Sequence, residues 1–472
     1  MKFEILVIAF FSLLGACSCN AKIINCYFGT WSNYRPGLGQ FEPEHINANL
    51  CTHLSYSFFG ITEVGEFRML DAWLDMDLNF IKRTMALKHD NSNLKVLAAI
   101  GGWNEGSIKY SQMAGDPAKR KRFIQSTVDF VRQHGFDGID LDWEYPGQRG
   151  GSMDDKHNFV VLLRELKESF TPLNLELSIA VGASAYTAST SYDIPNIAKY
   201  VDFINVMTYD LGMASDGVLG SNAPLRGQGD NNVENCIGYW LQNGAPASKL
   251  VLGLAFYGRT FQLANNKLTT PGSPSSGAGA PGPYTRESGF MGYNEICTLQ
   301  TAGVWTTVFN AEHGVPYTYN DNQWIGYDNV QSLELKLNYM RSLNLAGVML
   351  WSIETDDFRG ECGGEQYPLL NTINRKIGMG MEGQENSTTG SATSTTTTTM
   401  KPVVTSTTPG GPPPSTPENL CSEDGYFTHE YDCNRFYQCV GGKRHDFICP
   451  PDLHFDMNSM ACNWPSLANC GY

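Results

Sequence analysis

Basic charge is scarce in this chain: 33 lysines and arginines face 48 aspartates and glutamates, for a formal charge of −15. That balance repels phosphate backbones and anionic headgroups, so nucleic acid and membranes are excluded as expected partners, whereas a neutral polymer is not repelled. Long apolar runs are also missing. The stretch from Phe3 to Leu14 is too short to span a bilayer. With Lys2 before it and small residues from Gly15 to Ala21 behind it, it reads as a secretory leader covering residues 1–21. No later run is long and apolar enough for a transmembrane helix, so the mature chain is expected outside the cell. Cysteine occurs, but never as the short paired knuckles that zinc favours, so no metal is expected. Large apolar residues all but vanish from about Glu382 to Pro417, where Thr, Ser, Pro and Gly take over. Such a segment has too little apolar surface to fold.

What is present divides the chain into a large domain at 22–380, a linker at 381–417 and a small module at 418–472. The linker invites O-glycosylation, and Asn386-Ser-Thr is an N-glycosylation sequon. Export permits disulfides. Beyond Cys17 and Cys19 of the leader, the large domain has Cys26, Cys51, Cys236, Cys297 and Cys362, and six more crowd the tail. The odd total leaves one thiol unpaired, and Cys236 is the expected one. The tail has too small a core to fold without its disulfides. Of its many aromatics, one or two are expected to be exposed for stacking on sugar rings, with Tyr437, Phe455 and Trp464 the candidates.

In the large domain, strand-like apolar runs alternate with helical patterns. The expected strands are Ile23–Phe28, Thr52–Phe58, Lys95–Ile100, Phe136–Glu144, Glu176–Val181, Phe203–Met207, Leu250–Phe256 and Ala346–Trp351. Residues 119–134 have apolar positions at helical spacing and stop at Gly135. Eight strands with intervening helices predict an α/β fold, a (β/α)8 TIM barrel. The long gap before the last strand predicts an inserted α+β subdomain at about 258–340, forming one wall of a cleft.

The richest segment is Phe136-Asp-Gly-Ile-Asp-Leu-Asp-Trp-Glu-Tyr-Pro146. On a strand, Asp140, Asp142 and Glu144 share one face, and Ile139, Leu141 and Trp143 the other. Three carboxyls at that spacing repel one another, which raises some of their pKa values and makes neighbours share protons. Aimed into a barrel at the end of a strand, they suit general acid catalysis. A solvated acidic edge strand is the competing reading, and Trp143 with its alternating apolar neighbours argues against it.

This segment resembles the Asp-Gly-x-Asp-x-Asp-x-Glu signature of family 18 glycoside hydrolases. The resemblance extends over about 22–376. It includes Cys26-Tyr-Phe-Gly-Thr-Trp31 with Tyr34-Arg-Pro-Gly, Ala99-Ile-Gly-Gly-Trp103, Met207-Thr-Tyr-Asp210, Tyr257-Gly-Arg259 and Gly347-Val-Met-Leu-Trp351. The cysteine spacing from Cys421 to Cys470 resembles peritrophin-type chitin-binding modules. The layout is similar to that of secreted animal chitinases, and the resemblance implies a monomer that takes chitin and its oligosaccharides and needs no cofactor.

The resemblance further implies a retaining mechanism in which the 2-acetamido group of the bound sugar is the nucleophile. Glu144 would protonate the leaving oxygen and later deprotonate water. Asp142 would hold the acetamide N–H, Asp140 would share a proton with Asp142, and Tyr209 would orient the acetamide carbonyl. Asp210 would contact the sugar or the acid, and Trp351 would floor the site. Trp31, Tyr34 and Trp103 would line a polysaccharide groove, and Tyr27, Phe58 and Met207 the acetamide pocket. Tyr257 and Arg259 would contact substrate from the seventh strand. The implied disulfides are Cys26–Cys51 and Cys297–Cys362, with Cys421–Cys439, Cys433–Cys470 and Cys449–Cys462 in the tail.

Two departures stand out. Ala99 replaces the family's serine, small for small. After Asp210 the chain reads Leu-Gly-Met-Ala-Ser-Asp-Gly where animal chitinases continue His-Gly-x-Trp, so an aromatic on the product side is missing. Weaker product-side binding or a different cleavage pattern is expected. A non-catalytic chitin-binding lectin, a matrix protein anchored by the tail, and another N-acetylhexosamine hydrolase are the competing functions.

Overall fold

A computed structural model describes residues 22–382, and in the tail 425–429, 432–440, 443–449, 454–456 and 461–463. The expected leader, the sequon Asn386 and Trp464 lie outside the described residues. The chain divides into two compact units at Thr389/Gly390. Among the described residues no helix is long and apolar enough to cross a membrane.

The larger unit is built on eight parallel strands: Ile23–Gly29, His53–Ile61, Lys95–Gly101, Gly138–Asp142, Glu176–Gly182, Phe203–Met207, Leu250–Ala255 and Gly347–Trp351. Each pairs with its sequence neighbours, and the first also pairs with the last, which closes the barrel. Burial on both faces explains why these strands read as continuous apolar runs. Outward residues such as Ile139, Leu141 and Trp143 pack into the layer beneath the helices. Inward residues such as Leu97, Ala99, Ala180, Val251 and Met349 fill the barrel. The helix expected over 119–134 spans Pro117–His134. The Asp116 side chain caps it by accepting from the Ala118 and Lys119 N–H groups, and Gly135 ends it at φ +77°.

The fourth strand is shorter than the sequence pattern suggests. It stops at Asp142, so Glu144 stands two residues beyond the ladder. The last partner of Asp142 is Gly101 on the third strand. At Gly101, with φ +122°, a Cβ would lie 1.9 Å from the Asp142 carbonyl oxygen, so only glycine permits this approach. The Gly102 N–H then donates to that oxygen at 2.9 Å, and the chain leaves the sheet.

Between the seventh and eighth strands an antiparallel sheet is inserted. Tyr257–Leu263 runs through it, paired with Ser275–Ala278, Phe290–Gly292 and Gln323–Gly326. Val315–Asn320 and Thr306–Asn310 extend it, and it carries the helix Tyr293–Thr301. It has its own small core of Leu219, Phe261, Tyr317 and Trp324. The next helix, Val330–Ser342, packs against the helix Pro368–Glu382. Cys26–Cys51 ties the first strand to the approach of the second, and Cys297–Cys362 ties the inserted helix to the segment after the eighth strand. Cys236 is buried and free, and burial pushes its thiol up to about 12.

In the tail, Gly425–His429, Asp432–Val440 and Lys443–Ile448 form an antiparallel sheet, and His454–Asp456 pairs with Ala461–Asn463. Cys433, Cys439 and Cys449 are disulfide-bonded. Their expected partners Cys421, Cys462 and Cys470 fall outside the described side chains. The expectation that Tyr437 or Phe455 presents a free face to sugar is corrected here. Tyr437 is buried, stacked on Phe427 and covered by the Arg444 guanidinium at 3.8 Å. Phe455 is buried against Phe436, with ring centroids 4.2 Å apart. A module this small needs both rings for its core.

Candidate active site

A cleft of about 970 Å³ opens where the barrel strands end in their C-terminal turns. Such loops carry the site in barrels of this kind. Glu144, Asp142 and Tyr209 line it. So do Tyr27, Phe58 and Met207 from the barrel mouth, Trp31, Trp103 and Trp351 from strand ends, and Asp210, Tyr257 and Arg259 on the side of the inserted sheet. Two of the expected residues do not line it. Asp140 is completely buried beneath the floor. Tyr34 is exposed, and its hydroxyl donates to Asp71 at 2.7 Å.

The three acids have different surroundings. Asp140 accepts hydrogen bonds from the Tyr27 hydroxyl, from Ser178 Oγ at 2.5 Å and from Asn205 Nδ2 at 2.8 Å. Burial raises its pKa, and these donors oppose the rise. Asp142 is buried, and among the described residues no donor reaches its Oδ1. Burial, then the charges of Glu144 and Asp140, hold its carboxyl well above the usual range. Glu144 sits on the floor of the cleft, where burial pushes it up to about 7; Tyr145 and Arg149 pull it down, and Asp210 pushes it up. The donors therefore favour charge on Asp140 and leave protons on the two carboxyls nearer the cleft.

The aromatic residues form one connected surface. Phe58 stacks on Trp351 at 5.6 Å and on Trp31 at 6.1 Å, and Tyr27 meets Trp351 at 5.5 Å. Trp31 is 41% exposed and Trp103 58%, and both line the cleft. Among the described residues the Tyr209 hydroxyl has only the Met349 sulfur as a partner, at 3.5 Å, so its capacity to donate to a ligand is largely unused. Asp210, in the left-handed region at φ +58°, accepts from the Tyr257 hydroxyl at 2.6 Å and from Arg259 Nε at 2.7 Å. Past Asp210, Leu211 and Met213 form the wall where the sequence lacks an aromatic.

Sequence reasoning missed several of the groups that build this site. Ser178 and Asn205 hold Asp140, and a chain of hydrogen bonds continues through Asn25 to Ser55. Their signal was a lone polar residue at an inward position of an otherwise apolar strand. Asn222 accepts from the Asp210 N–H at 3.0 Å and donates to the Tyr257 carbonyl at 3.0 Å. Glu354, fully buried, accepts from the Gly29 N–H and Ser352 Oγ and pairs with Arg35. Arg149 covers Trp103 at 3.6 Å and donates to the Glu144 carbonyl at 2.9 Å. Nothing local in the sequence marks these last three.

Comparison with known proteins places this geometry. Residues 421–470 match the Chitin binding Peritrophin-A domain. Chitotriosidase-1 of Mus musculus is 35% identical over 94% of this chain and 95% of its own length. The crystal structure of Ostrinia furnacalis Group IV chitinase is 48% identical with a TM-score of 0.75, covering 76% of this chain and 100% of that one. Human YKL-39, described as a pseudo-chitinase with retained chitooligosaccharide binding, is 37% identical with a TM-score of 0.71, covering 76% of this chain and 100% of its own. The barrel, its inserted sheet and the acids at its mouth fall within residues 23–356, which match Glycosyl hydrolases family 18, and the chain belongs to that family.

Proposed function

We propose that this protein is a secreted chitinase that cleaves internal β-1,4 bonds between N-acetylglucosamine units with retention of configuration. One observation carries the reading: a glutamate on the cleft floor whose pKa is about 7, directly beyond a strand that also carries Asp140 and Asp142. At pH 6 such a group is about 90% protonated, against about 3% for an ordinary glutamate, so it is armed as an acid where exposed carboxyls are not. Glu144 protonates the glycosidic oxygen. The substrate's acetamido oxygen attacks its own anomeric carbon, and the C–O bond to the leaving sugar breaks. Asp142 accepts from the acetamide N–H and, as the proton it shares shifts to Asp140, takes the charge that stabilises the cationic ring, and the Tyr209 hydroxyl holds the acetamide oxygen. The Glu144 carboxylate then takes a proton from the water that opens this intermediate. The aromatic surface of Trp31, Phe58 and Trp351 suits the apolar faces of pyranose rings. Names of relatives such as chitotriosidase and Group IV chitinase support chitin as the substrate.

A chitin-binding lectin is the second reading, favoured by the similarity to YKL-39. Against it stand all three acids and the raised pKa of Glu144. Glu144→Gln keeps the shape and removes the proton. The expected loss of turnover on a soluble chitin oligosaccharide is at least about 10²-fold, with binding retained. Wild-type protein that binds the oligosaccharide and never cleaves it would establish the lectin reading instead. First-formed products of inverted anomeric configuration would overturn the mechanism.

A further inference from the structure

Glu144 performs its chemistry from outside the barrel ladder, because the fourth strand ends at Asp142. Something other than sheet hydrogen bonds must fix its backbone. Ser107 does this from another element. It occupies the N-cap of the helix Ile108–Gly115, where a serine hydroxyl normally accepts from the first free N–H groups of the helix. Here it makes no capping bond. Its hydroxyl instead accepts from the Trp143 indole Nε1 at 2.7 Å and donates to the Tyr145 carbonyl at 2.8 Å. One buried oxygen thus binds the residue before Glu144 and the residue after it, and its single proton and a lone pair are both used. The Trp143 indole packs among Tyr110 and Phe159, and its N–H has no other hydrogen-bond partner among the described residues. Room for the hydroxyl comes from Gly151, where a Cβ would stand 3.1 Å from Ser107 Oγ.

We propose that Ser107 is a positioning residue for catalysis, holding the Trp143-Glu144-Tyr145 segment so that the Glu144 carboxyl meets the glycosidic oxygen. This rests on Glu144 being the acid. The sacrificed cap is the mark of the role: the helix forgoes its end bond, and the hydroxyl spans the acid. Misplacement of an acid by a fraction of an ångström lowers the rate without changing how the ground state binds.

The test uses the full chain and a soluble chitin oligosaccharide, with Glu144→Gln alongside. Ser107→Ala removes the partner of the Trp143 N–H and leaves the Tyr145 carbonyl with the Gln148 N–H at 3.1 Å, a bond within the same loop that does not tie it to the helix. It is expected to lower kcat about tenfold with KM within about twofold. Ser107→Thr keeps the hydroxyl and is expected to restore kcat to within about threefold of wild type. Unchanged kcat in Ser107→Ala, a change confined to KM, or a threonine variant as slow as the alanine variant would overturn the proposal. If Ser107→Ala does not fold, Ser107→Cys is measured for the same split, and loss of folding in both makes the role structural and ends the proposal. Normal turnover in Glu144→Gln would instead defeat the acid assignment itself, so the two failures are distinguishable.

Discussion

Glu144, the proposed acid, should destabilise the protein that carries it, and Glu144→Gln should reveal by how much. In the unfolded chain Glu144 titrates near 4.5, and in the fold burial moves it to about 7. Below pH 4.5 both states keep the proton and the residue is neutral to stability. Between 4.5 and 7 the unfolded chain has released a proton that the folded chain retains, so stability falls as pH rises, by about 1.4 kcal/mol per pH unit. Above 7 both forms are ionised and the full penalty, about 3 kcal/mol, persists. Glutamine never ionises and escapes it. The variant also removes a charge that raises the pKa of Asp142, which adds to the effect with the same sign. For a domain of this size about 3 kcal/mol corresponds to a rise in Tm of about 4 °C. Thermal unfolding of wild type and variant, followed by tryptophan fluorescence from pH 4 to pH 8.5, measures it. The two curves should coincide near pH 4 and separate through pH 5–7, with the variant the more stable at pH 8. A variant less stable than wild type at pH 8, or a difference independent of pH, would refute the claim that Glu144 is held protonated by burial.

The same carboxyl sets the basic limb of activity: kcat/KM should fall about tenfold per pH unit above about 7, where the acid loses its proton. Arg149→Gln should move that limb upward, because the Arg149 charge lowers the Glu144 pKa, and by less than about one pH unit because the arginine is exposed; a downward move would contradict the electrostatic assignment. Deleting residues 418–472 should leave rates on soluble oligosaccharides unchanged and lower the rate on insoluble chitin about tenfold or more at low enzyme concentration, since the tether's contribution is local concentration; equal losses on both substrates would show that the module acts on the catalytic unit.

The barrel was legible because a strand buried on both faces needs an apolar run, and eight such runs alternate with helical patterns or an insertion. The acidic trio was legible because no structural demand places three carboxyls on one face of such a strand. The position of Glu144 beyond the ladder was not, since the strand's end is set by Gly101 on its neighbour rather than by anything within Phe136–Pro146. The same holds for Ser107, Asn222 and Glu354, whose partners lie 36, 12 and 325 residues away for Trp143, Asp210 and Gly29. The tail failed for a different reason. Its aromatic count suggested sugar-binding faces, but a sheet of three short strands has few other residues with which to fill a core, and Tyr437 and Phe455 are used there.

The arrangement of the acids also explains why the barrel interior is polar just beneath them. Three buried carboxyls cannot all be charged. If the donors around Asp140 were apolar, nothing would decide which of the three holds the charge. Tyr27, Ser178 and Asn205, drawn from the first, fifth and sixth strands, make that choice: of the three acids, Asp140 is the one to which they donate among the described residues. At the bottom the donors oppose the rise that burial causes in Asp140, whereas nearer the cleft burial and neighbouring charge raise Asp142 and Glu144. The polar ladder of Asn25, Ser55 and Asn205 then holds the Asn205 amide so that its N–H, not its oxygen, points to Asp140. The barrel core therefore orders the protonation of the site, and it does so with residues that never touch a sugar.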